Sequence, residues 1–307
     1  MLNIRKILFP TDFSDSAKQA INHALFLAEQ FEAELHLLHA VVLHSYDPEA
    51  PGHDFPEPTE VFSRLFDIAD TEMAQILQQN DSKTFAIREA KVRGFSAGSV
   101  ILDYANEHDI DLIVMGTHGR RGPARMFIGS VAEEVVRQAS CPVLTLHVSE
   151  TSGAIETIDR ILVPVDFSDH SAQAVAYAKE IAAVTGARLQ VLHAIEEPIY
   201  PYFYAPAGEF GPAHHLTELS ERTDEALVKL ISDTPGPDVR YDKFVISGNP
   251  GVEISKFAQE NASDLIVIAT HGLTGLERML LGSTAEKVVR LAGCPVLAVK
   301  SFGKSLT

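Results

Sequence analysis

The sequence contains few cysteines. Cys141 and Cys294 are the only two among 307 residues, and each stands directly before a proline at the start of an apolar run. This setting is typical of reduced, buried thiols, and two such residues do not provide a disulfide framework. It also lacks the neighbouring cations that activate a nucleophilic thiol. We therefore expect a reducing compartment and no catalytic cysteine.

Positive charge is also scarce. Lysine and arginine total 25 against 42 aspartates and glutamates, which gives a formal net charge of −17 at pH 7. A surface of this sign repels nucleic acids and anionic membranes, so neither is an expected partner. Any anion that the protein binds must be held by a local cluster of donors.

Long apolar runs are absent as well. No segment approaches the roughly 18 uncharged apolar residues of a membrane span, and the first turns of the chain carry several charges. Membrane insertion and secretion are not expected, and the cytoplasm is the expected location. The hydrophobic content of 46% is nevertheless enough to fill one core in each half of the chain.

The chain contains the same pattern twice. The segment ILFPTDFSD at 7–15 returns as ILVPVDFSD at 161–169, an offset of 154. Three later motifs return at an offset of 153, namely THG at 117–119, GS at 129–130 and CPVL at 141–144. This duplication predicts two domains, at 1–150 and 157–303, joined by a short polar linker near 150–158.

Each half alternates short apolar runs with longer segments of 3.6-residue periodicity, which predicts βαβ units and a parallel sheet. We predict two five-stranded α/β modules with helices on both faces. In the first half the predicted strands are 6–10, 34–40, 86–92, 112–115 and 143–148, and the helices are 14–31, 59–79, 97–107 and 130–139. Asp12 or Ser14 is expected to cap the first helix and Ser130 the fourth. A ligand is expected at the carboxyl ends of the first and fourth strands.

A glycine-rich motif follows the fourth predicted strand. Gly116-Thr117-His118-Gly119 is separated by nine residues from Gly129-Ser130 at the start of a helix. Glycines let the backbone approach an anion, and the N–H groups of a helix start attract phosphate. The spacing predicts a phosphate-binding loop. Its cationic residues either neutralise a polyphosphate or are merely solvated, and they are Arg120, Arg121 and Arg125.

The combination of these motifs resembles the ATP-binding members of the universal stress protein family. The likeness rests on G-x-x-G, nine residues, then G-[ST], on the strand ends Pro-Thr-Asp and Pro-Val-Asp, on Leu-Leu-His-Ala and Val-Leu-His-Ala, and on both Cys-Pro-Val-Leu segments. It covers nearly the whole chain as two tandem modules. The resemblance implies a Rossmann-like fold of the adenine nucleotide alpha hydrolase type and a role in stress response.

The resemblance also implies the ligand and the assembly. The expected ligand is ATP, with ADP and AMP left open, and a Mg²⁺ ion held through the phosphates is an open addition. The final strands, 143–148 and 296–300, are expected to pair about a pseudo-twofold axis, so that one chain imitates the usual dimer. A further homodimer stays open, and the sequence does not identify a downstream protein partner.

Site residues follow from the same resemblance. In the first half it implies contacts to adenine, ribose and phosphates from Pro10, Thr11, Asp12, Ala40, Met115, Gly116, His118, Gly119, Arg120, Gly129, Ser130 and Val131. In the second half the corresponding contacts are Val165, Asp166, Ala194, His271, Gly272, Gly282, Ser283 and Thr284. Ala269 replaces the first loop glycine there, and Leu273 and Thr274 replace two arginines. We therefore expect weaker binding at the second site.

Other motifs favour less specific interpretations. Gly303-Lys304-Ser305 resembles a Walker loop, but Ala298 occupies the first glycine position and no helix follows. His214 and His215 with Glu218 have a spacing that metals tolerate, although structural or solvated roles are favoured. His39 and His193 end matching strands, and for them a core or strand-edge role is favoured over metal binding. The segments 44–58 and 196–215 are either surface loops or lids over a ligand.

Three functions stay open at this point. The first is a stress-response sensor or regulator whose state depends on the bound nucleotide. The second is a slow ATPase or phosphoryl-transfer enzyme, because His118 and the loop arginines flank the expected phosphates. The third is a dimerisation scaffold that binds no nucleotide. No grouping of serine, histidine and aspartate has the spacing of a catalytic triad, so we predict no catalytic residue.

Overall fold

A computed structural model of the chain describes residues 2–42, 58–78, 85–117, 128–147, 157–196, 212–270 and 281–300, together with residues 302 and 304. The chain divides into two compact units, one of residues 3–156 and one of residues 157–307 with the first two residues. We refer to them as the first and second modules.

The first module alternates strands and helices along the chain. Its strands are β1 (Lys6–Pro10), β2 (Glu34–Val42), β3 (Ile87–Gly94), β4 (Leu112–Gly116) and β5 (Val143–Leu146). Its helices are α1 (Asp15–Gln30), α2 (Pro58–Gln78), α3 (Ala97–Glu107) and α4 (Ser130–Gln138). The predicted elements are present in the predicted order. The fifth strand ends at Leu146, short of the predicted Val148, which lies outside the described residues.

The second module repeats this order. Its strands are β6 (Arg160–Pro164), β7 (Arg188–Ile195), β8 (Tyr241–Ser247), β9 (Leu265–Ala269) and β10 (Val296–Val299). Its helices are α5 (Asp169–Thr185), α6 (Pro212–Asp233), α7 (Pro250–Glu260) and α8 (Ser283–Leu291). No helix in the described parts of the chain is long and apolar enough to cross a bilayer.

Each module contains a parallel sheet whose strand order reverses once. The order is β3-β2-β1-β4-β5 in the first module and β8-β7-β6-β9-β10 in the second. Because crossovers between parallel strands are right-handed as a rule, this reversal puts the first two helices of each module and the last two on opposite faces of its sheet. The predicted fold class is confirmed. Fully buried residues such as Ile7, Leu8 and Phe9 give the central strands the apolar character of a sheet covered on both faces.

A carboxylate fastens β1 to β4 at their amino ends. Asp111 precedes β4, and its Oδ2 accepts hydrogen bonds from the Arg5 N–H at 2.8 Å and the Lys6 N–H at 2.9 Å. The ladder between the two strands is short, with the registered pairs Ile7↔Leu112 and Leu8↔Ile113. These charge-assisted bonds extend it by fixing the strand starts. Asp264 does the same in the second module, accepting from the N–H groups of Asp159 and Arg160.

The helix caps agree with the sequence in one case and differ in another. Ser14 caps α1, because its Oγ accepts a hydrogen bond from the Ala17 N–H at 3.2 Å. The expectation that Ser130 caps α4 is wrong. The N-cap there is Gly129, the last extended residue, and it makes no side-chain cap bond. Ser130 is already helical and its side chain is exposed, so its hydroxyl lies outside the cap.

Replacing Ser14 by alanine should lower the free energy of unfolding by about 1 kcal/mol, because the Ala17 N–H loses its acceptor. The matched control is Ser130→Ala, which removes an exposed hydroxyl without a cap bond and should change stability by about 0.5 kcal/mol or less. Urea denaturation of the two variants measures the difference. Equal losses in both would contradict the cap assignment.

Candidate functional site

A tight turn follows β1 and positions Asp12. The Thr11 N–H donates to the Leu38 carbonyl at 2.8 Å, and Thr11 Oγ1 accepts from the Phe13 N–H at 3.0 Å. Phe13 has a positive φ of 61°, which turns the chain sharply toward α1. Asp12 lies between these fixed points, half-buried, with Oδ1 accepting from the Ser14 N–H at 3.0 Å. The turn therefore places a carboxylate at the carboxyl edge of the sheet.

His39 near the end of β2 supports this turn. Its Nδ1 lies 2.8 Å from the Thr11 carbonyl oxygen, and its ring centroid is 4.5 Å from that of Phe13. His39 therefore has a structural role at the strand edge, because its ring connects the end of β2 to the turn that carries Asp12. Ala40 follows it near the end of β2 and is half-buried, and its side chain is only a methyl group.

The second module repeats the turn with different neighbours. His193 Nδ1 lies 2.7 Å from the Val165 carbonyl oxygen, and Phe167 has a φ of 62°. Asp166 Oδ1 accepts from both the N–H and the hydroxyl of Ser168, at 3.0 and 2.5 Å. Val165 stands at the position of Thr11 and has no hydroxyl like the one that accepts from the Phe13 N–H in the first module. Phe167 is 36% exposed, whereas Phe13 is only 6% exposed.

The carboxyl end of β4 and the start of α4 meet at the carboxyl edge of the sheet. Thr117 follows β4, and its N–H donates to the Leu146 carbonyl at 3.0 Å. Its own carbonyl accepts from the Gly129 N–H at 2.7 Å. A Cβ added to Gly129 would lie 2.9 Å from this oxygen, so only glycine allows the approach. Met115 is buried and Gly116 half-buried at the strand end, while Val131 is half-buried in the first turn of α4.

The corresponding junction in the second module has the same hydrogen bonds. The Thr270 N–H donates to the Val299 carbonyl at 3.0 Å, and the Gly282 N–H donates to the Thr270 carbonyl at 2.8 Å. Ser283 is exposed and Thr284 half-buried at the start of α8. Ala269 ends β9 in the place of Gly116. Ala194 is half-buried at the end of β7, as Ala40 is in the first module.

The residues beside these threonines differ between the modules. Thr117 Oγ1 lies 3.2 Å from His147 Nδ1, and both groups follow strands of the first sheet. Lys300 stands at the position of His147 in the second module, at the offset of 153, and is 3% exposed. The surroundings of the two candidate sites are therefore similar in backbone and different in side chains.

Several predicted site residues lie outside the described residues. These are His118, Gly119 and Arg120 with the other loop arginines in the first module, and His271 and Gly272 in the second. Most of the segments 44–58 and 196–215 also lies outside them, as do residues 303 and 305 of the lysine motif and the side chains of His214, His215 and Glu218. For all of these the sequence-based expectations stay predictions.

Sequence reasoning missed the residues that hold the site together. Thr117 and Thr270 carry the hydrogen bonds between strand end and helix start, and Phe13 and Phe167 carry the positive φ of the turns. Their recurrence at the fixed offsets was a signal available in the sequence. Pro10, Thr11 and Asp12 are brought beside Met115 and Gly116 because β1 and β4 are neighbours in the sheet.

The described residues offer little to redox or metal chemistry. They contain no group of three or more histidine, cysteine, aspartate and glutamate residues that could hold a metal ion. Cys141 is buried, and burial raises the pKa of the Cys294 thiol to about 12, with the Asp264 carboxylate adding to the shift. At neutral pH Cys294 is therefore protonated and a poor nucleophile.

Known proteins similar to this chain agree with the duplicated architecture. The profile of the universal stress protein family matches residues 3–147 and again residues 157–300. A universal stress protein of Methanocaldococcus jannaschii is 38% identical over 142 residues, which cover 46% of this chain and 81% of that protein. One from Mycobacterium bovis is 30% identical over 196 residues, which cover 63% of each chain.

A solved structure extends the likeness to both modules. The crystal structure of a universal stress protein from Archaeoglobus fulgidus has a TM-score of 0.66 and 20% sequence identity, covering 96% of this chain and 98% of that one. This likeness concerns the fold alone. Since the family profile accounts for nearly the whole sequence in two copies, the chain belongs to the universal stress protein family as a tandem member.

Proposed function

We propose that the chain binds an adenine nucleotide and acts in stress response as a nucleotide-dependent sensor or regulator. One observation carries the proposal. The turn that presents Asp12 and the helix start led by Gly129 flank β1 and β4, the neighbouring strands at which the strand order of the sheet reverses. In open α/β sheets, ligands bind in the crevice at this position, beyond the carboxyl ends of the strands.

The side chains at this edge suit the parts of a nucleotide. The carboxylate oxygens of Asp12 are suited to accept hydrogen bonds from ribose hydroxyls or from the adenine amine. Ala40 and Ala194 are small enough to leave space for a planar base at the end of the second strand of each module. Pro10 and Met115 supply apolar contact beside it.

The start of α4 suits the phosphates. Gly129 makes no side-chain cap bond, so the N–H groups of the first turn are not covered by a capping side chain. The exposed hydroxyl of Ser130 stands at this end of the helix, where the dipole favours anions. His118, Gly119 and Arg120 belong to the loop that would complete the cradle, and a Mg²⁺ ion would be held through the phosphates rather than by the protein alone.

A sensor is favoured over an enzyme because the described residues beside the candidate site include no activated nucleophile. The loop arginines leave a slow ATPase as the second candidate, since cations beside phosphates also stabilise phosphoryl transfer. The proposal includes a cytoplasmic location and a pseudo-dimer within one chain. Neither depends on the identity of the nucleotide.

Protein purified without added nucleotide should release ATP, ADP or AMP on denaturation, identified by mass spectrometry. Retained ATP over hours supports the sensor. Progressive conversion to ADP that stops in a His118→Ala variant supports the slow ATPase. Protein that neither copurifies with an adenine nucleotide nor binds added ATP overturns the proposed function.

Ser130→Ala and Gly119→Val should each weaken ATP binding at the first site on the order of tenfold, because one removes a hydroxyl donor and the other places a side chain where the phosphates approach. Isothermal titration measures the change. Ser14→Ala is the control, since it alters helix stability without altering a phosphate donor. Unchanged affinity in both loop variants means that the loop has been misassigned.

Ala269→Gly should strengthen binding at the second site, because it restores the glycine found at position 116 in the first loop. The unmodified chain should show two unequal sites in the same titration, with the weaker one assigned by this variant. The reverse change, Gly116→Ala, is the matched control and should weaken the first site. Two equal sites in the unmodified chain contradict the expected asymmetry.

A further inference from the structure

The first module contains two buried histidines that each have a ring nitrogen without a hydrogen-bond partner. His23 on α1 is 8% exposed and its Nδ1 is unpaired, while His36 on β2 is 1% exposed and its Nε2 is unpaired. Buried polar atoms are normally satisfied, so two such nitrogens in one module require an explanation. Neither residue belongs to the candidate nucleotide site at the carboxyl ends of the strands.

His36 lies in a small cluster of rings near the amino end of β2. Its Nδ1 is 2.9 Å from the hydroxyl oxygen of Tyr104, and its ring makes edge contacts with Tyr104 and His108. Tyr104 and His108 stack on each other with centroids 3.9 Å apart. The rings are therefore packed around a neutral His36, with Nε2 facing no acceptor within hydrogen-bond distance.

The charges around His36 partly cancel. Glu34 on the same strand has Oε1 at 3.6 Å from Nε2 and favours a proton. It is opposed by positive or titratable groups on three neighbouring elements, namely Arg88 on β3, His108 beyond α3 and Lys6 on β1. Burial is the largest effect, and it lowers the pKa of His36 below its ordinary value.

Burial acts in the same direction on His23. It lowers the pKa of His23 to about 4, and the Gln19 carbonyl one turn earlier offsets only part of the shift. No charged side chain contributes to this shift among the described residues. Both histidines are therefore neutral in the folded first module at pH 7 and resist protonation as the pH falls.

The second module has non-titrating residues at the same positions. At the offset of 154, Tyr177 replaces His23 and Gln190 replaces His36, and both are buried. Gln190 Oε1 accepts a hydrogen bond from the Ser263 hydroxyl at 2.6 Å. At the offset of 153, Phe257 replaces Tyr104 and Asn261 replaces His108. These side chains do not gain or lose protons between pH 5 and 8, so the arrangement is insensitive to acid.

We propose that the first module is an acid-sensitive element whose opening constant rises as the pH falls below about 6.5, while the opening constant of the second module does not. The sign follows from proton linkage. An unfolded histidine takes up a proton near pH 6.5, whereas His23 and His36 in the folded module do not. The stability that the two neutral histidines contribute is therefore complete above that pH, and it is lost as the pH falls toward their pKa values in the folded module. The response is independent of the proposed nucleotide binding.

The expected size follows from the same linkage. For His23, whose pKa is lowered to about 4, moving from pH 7.5 to pH 5.5 should raise the opening constant of the module about tenfold. His36 acts in the same direction and increases the effect. Titration of residues shared by both modules changes their stabilities together and does not produce the difference between them.

Hydrogen exchange of the full chain tests the proposal. Amides of β1, β2 and α1 should lose protection at least tenfold between pH 7.5 and 5.5, after correction for the intrinsic exchange rates. Amides of β6, β7 and α5 should keep theirs. Equal losses in the two modules, or no loss in the first, overturn the proposal.

Variants assign the effect to the two histidines. His23→Gln should reduce the rise in the opening constant between pH 7.5 and 5.5 about tenfold, since glutamine stays neutral at every pH. Ile110 corresponds to Ser263 at the offset of 153, so His36→Gln combined with Ile110→Ser copies the Gln190 and Ser263 pair of the second module and should remove the remainder. Gln190→His is the reciprocal variant and should introduce acid sensitivity into the second module. An unaltered response in the first two variants contradicts the assignment.

An NMR titration of the unsubstituted chain, with labelled histidine, covers the case in which a variant fails to fold. Two histidine signals should titrate below pH 6.5, one of them near 4 for His23. Titration of every histidine near 6.5 overturns the proposal.

Discussion

The pairing of the first strand with the fourth, β1 with β4 and β6 with β9, is the constraint on which the rest of each module depends. These neighbouring strands are followed by helices that start on opposite sides of the strand-order reversal, and the two helix starts stay in register only while the strands stay paired. Their ladder is short, and the Asp111 carboxylate supplements it by accepting two backbone hydrogen bonds at the amino ends. The same device recurs at Asp264. A charge at one edge of the sheet thus maintains the geometry of the opposite edge.

Much of this architecture could be predicted from the sequence because the physical signals were local. Buried parallel strands are continuous apolar runs, and amphipathic helices repeat every 3.6 residues, so element type and order followed from pattern alone. The duplication supplied an internal check. The Ser14 cap also followed, since serine before a helix start has a known role.

Other features could not be predicted because they depend on contacts between distant segments. Ser130 looked like a cap, but the last extended residue is Gly129, whose position is fixed by the carbonyl of Thr117. The partners of His36 come from α3 and neighbouring strands, so its unpaired nitrogen is invisible in sequence. The amino-acid pattern locates the candidate site, whereas its hydrogen-bonding framework emerges only from the packed sheet.

The bond between the Gly129 N–H and the Thr117 carbonyl has an evolutionary consequence. It fixes the relative positions of Thr117 and Gly129, the residues that precede and follow segment 118–128 in the sequence. Closing a flexible loop twice as long costs only about 0.6 kcal/mol more, which is small compared with the stability of a domain. Insertions or exchanges between Thr117 and Gly129 can therefore accumulate without breaking the strand pairing, so the sequences of the two modules can diverge there while their sheets stay alike.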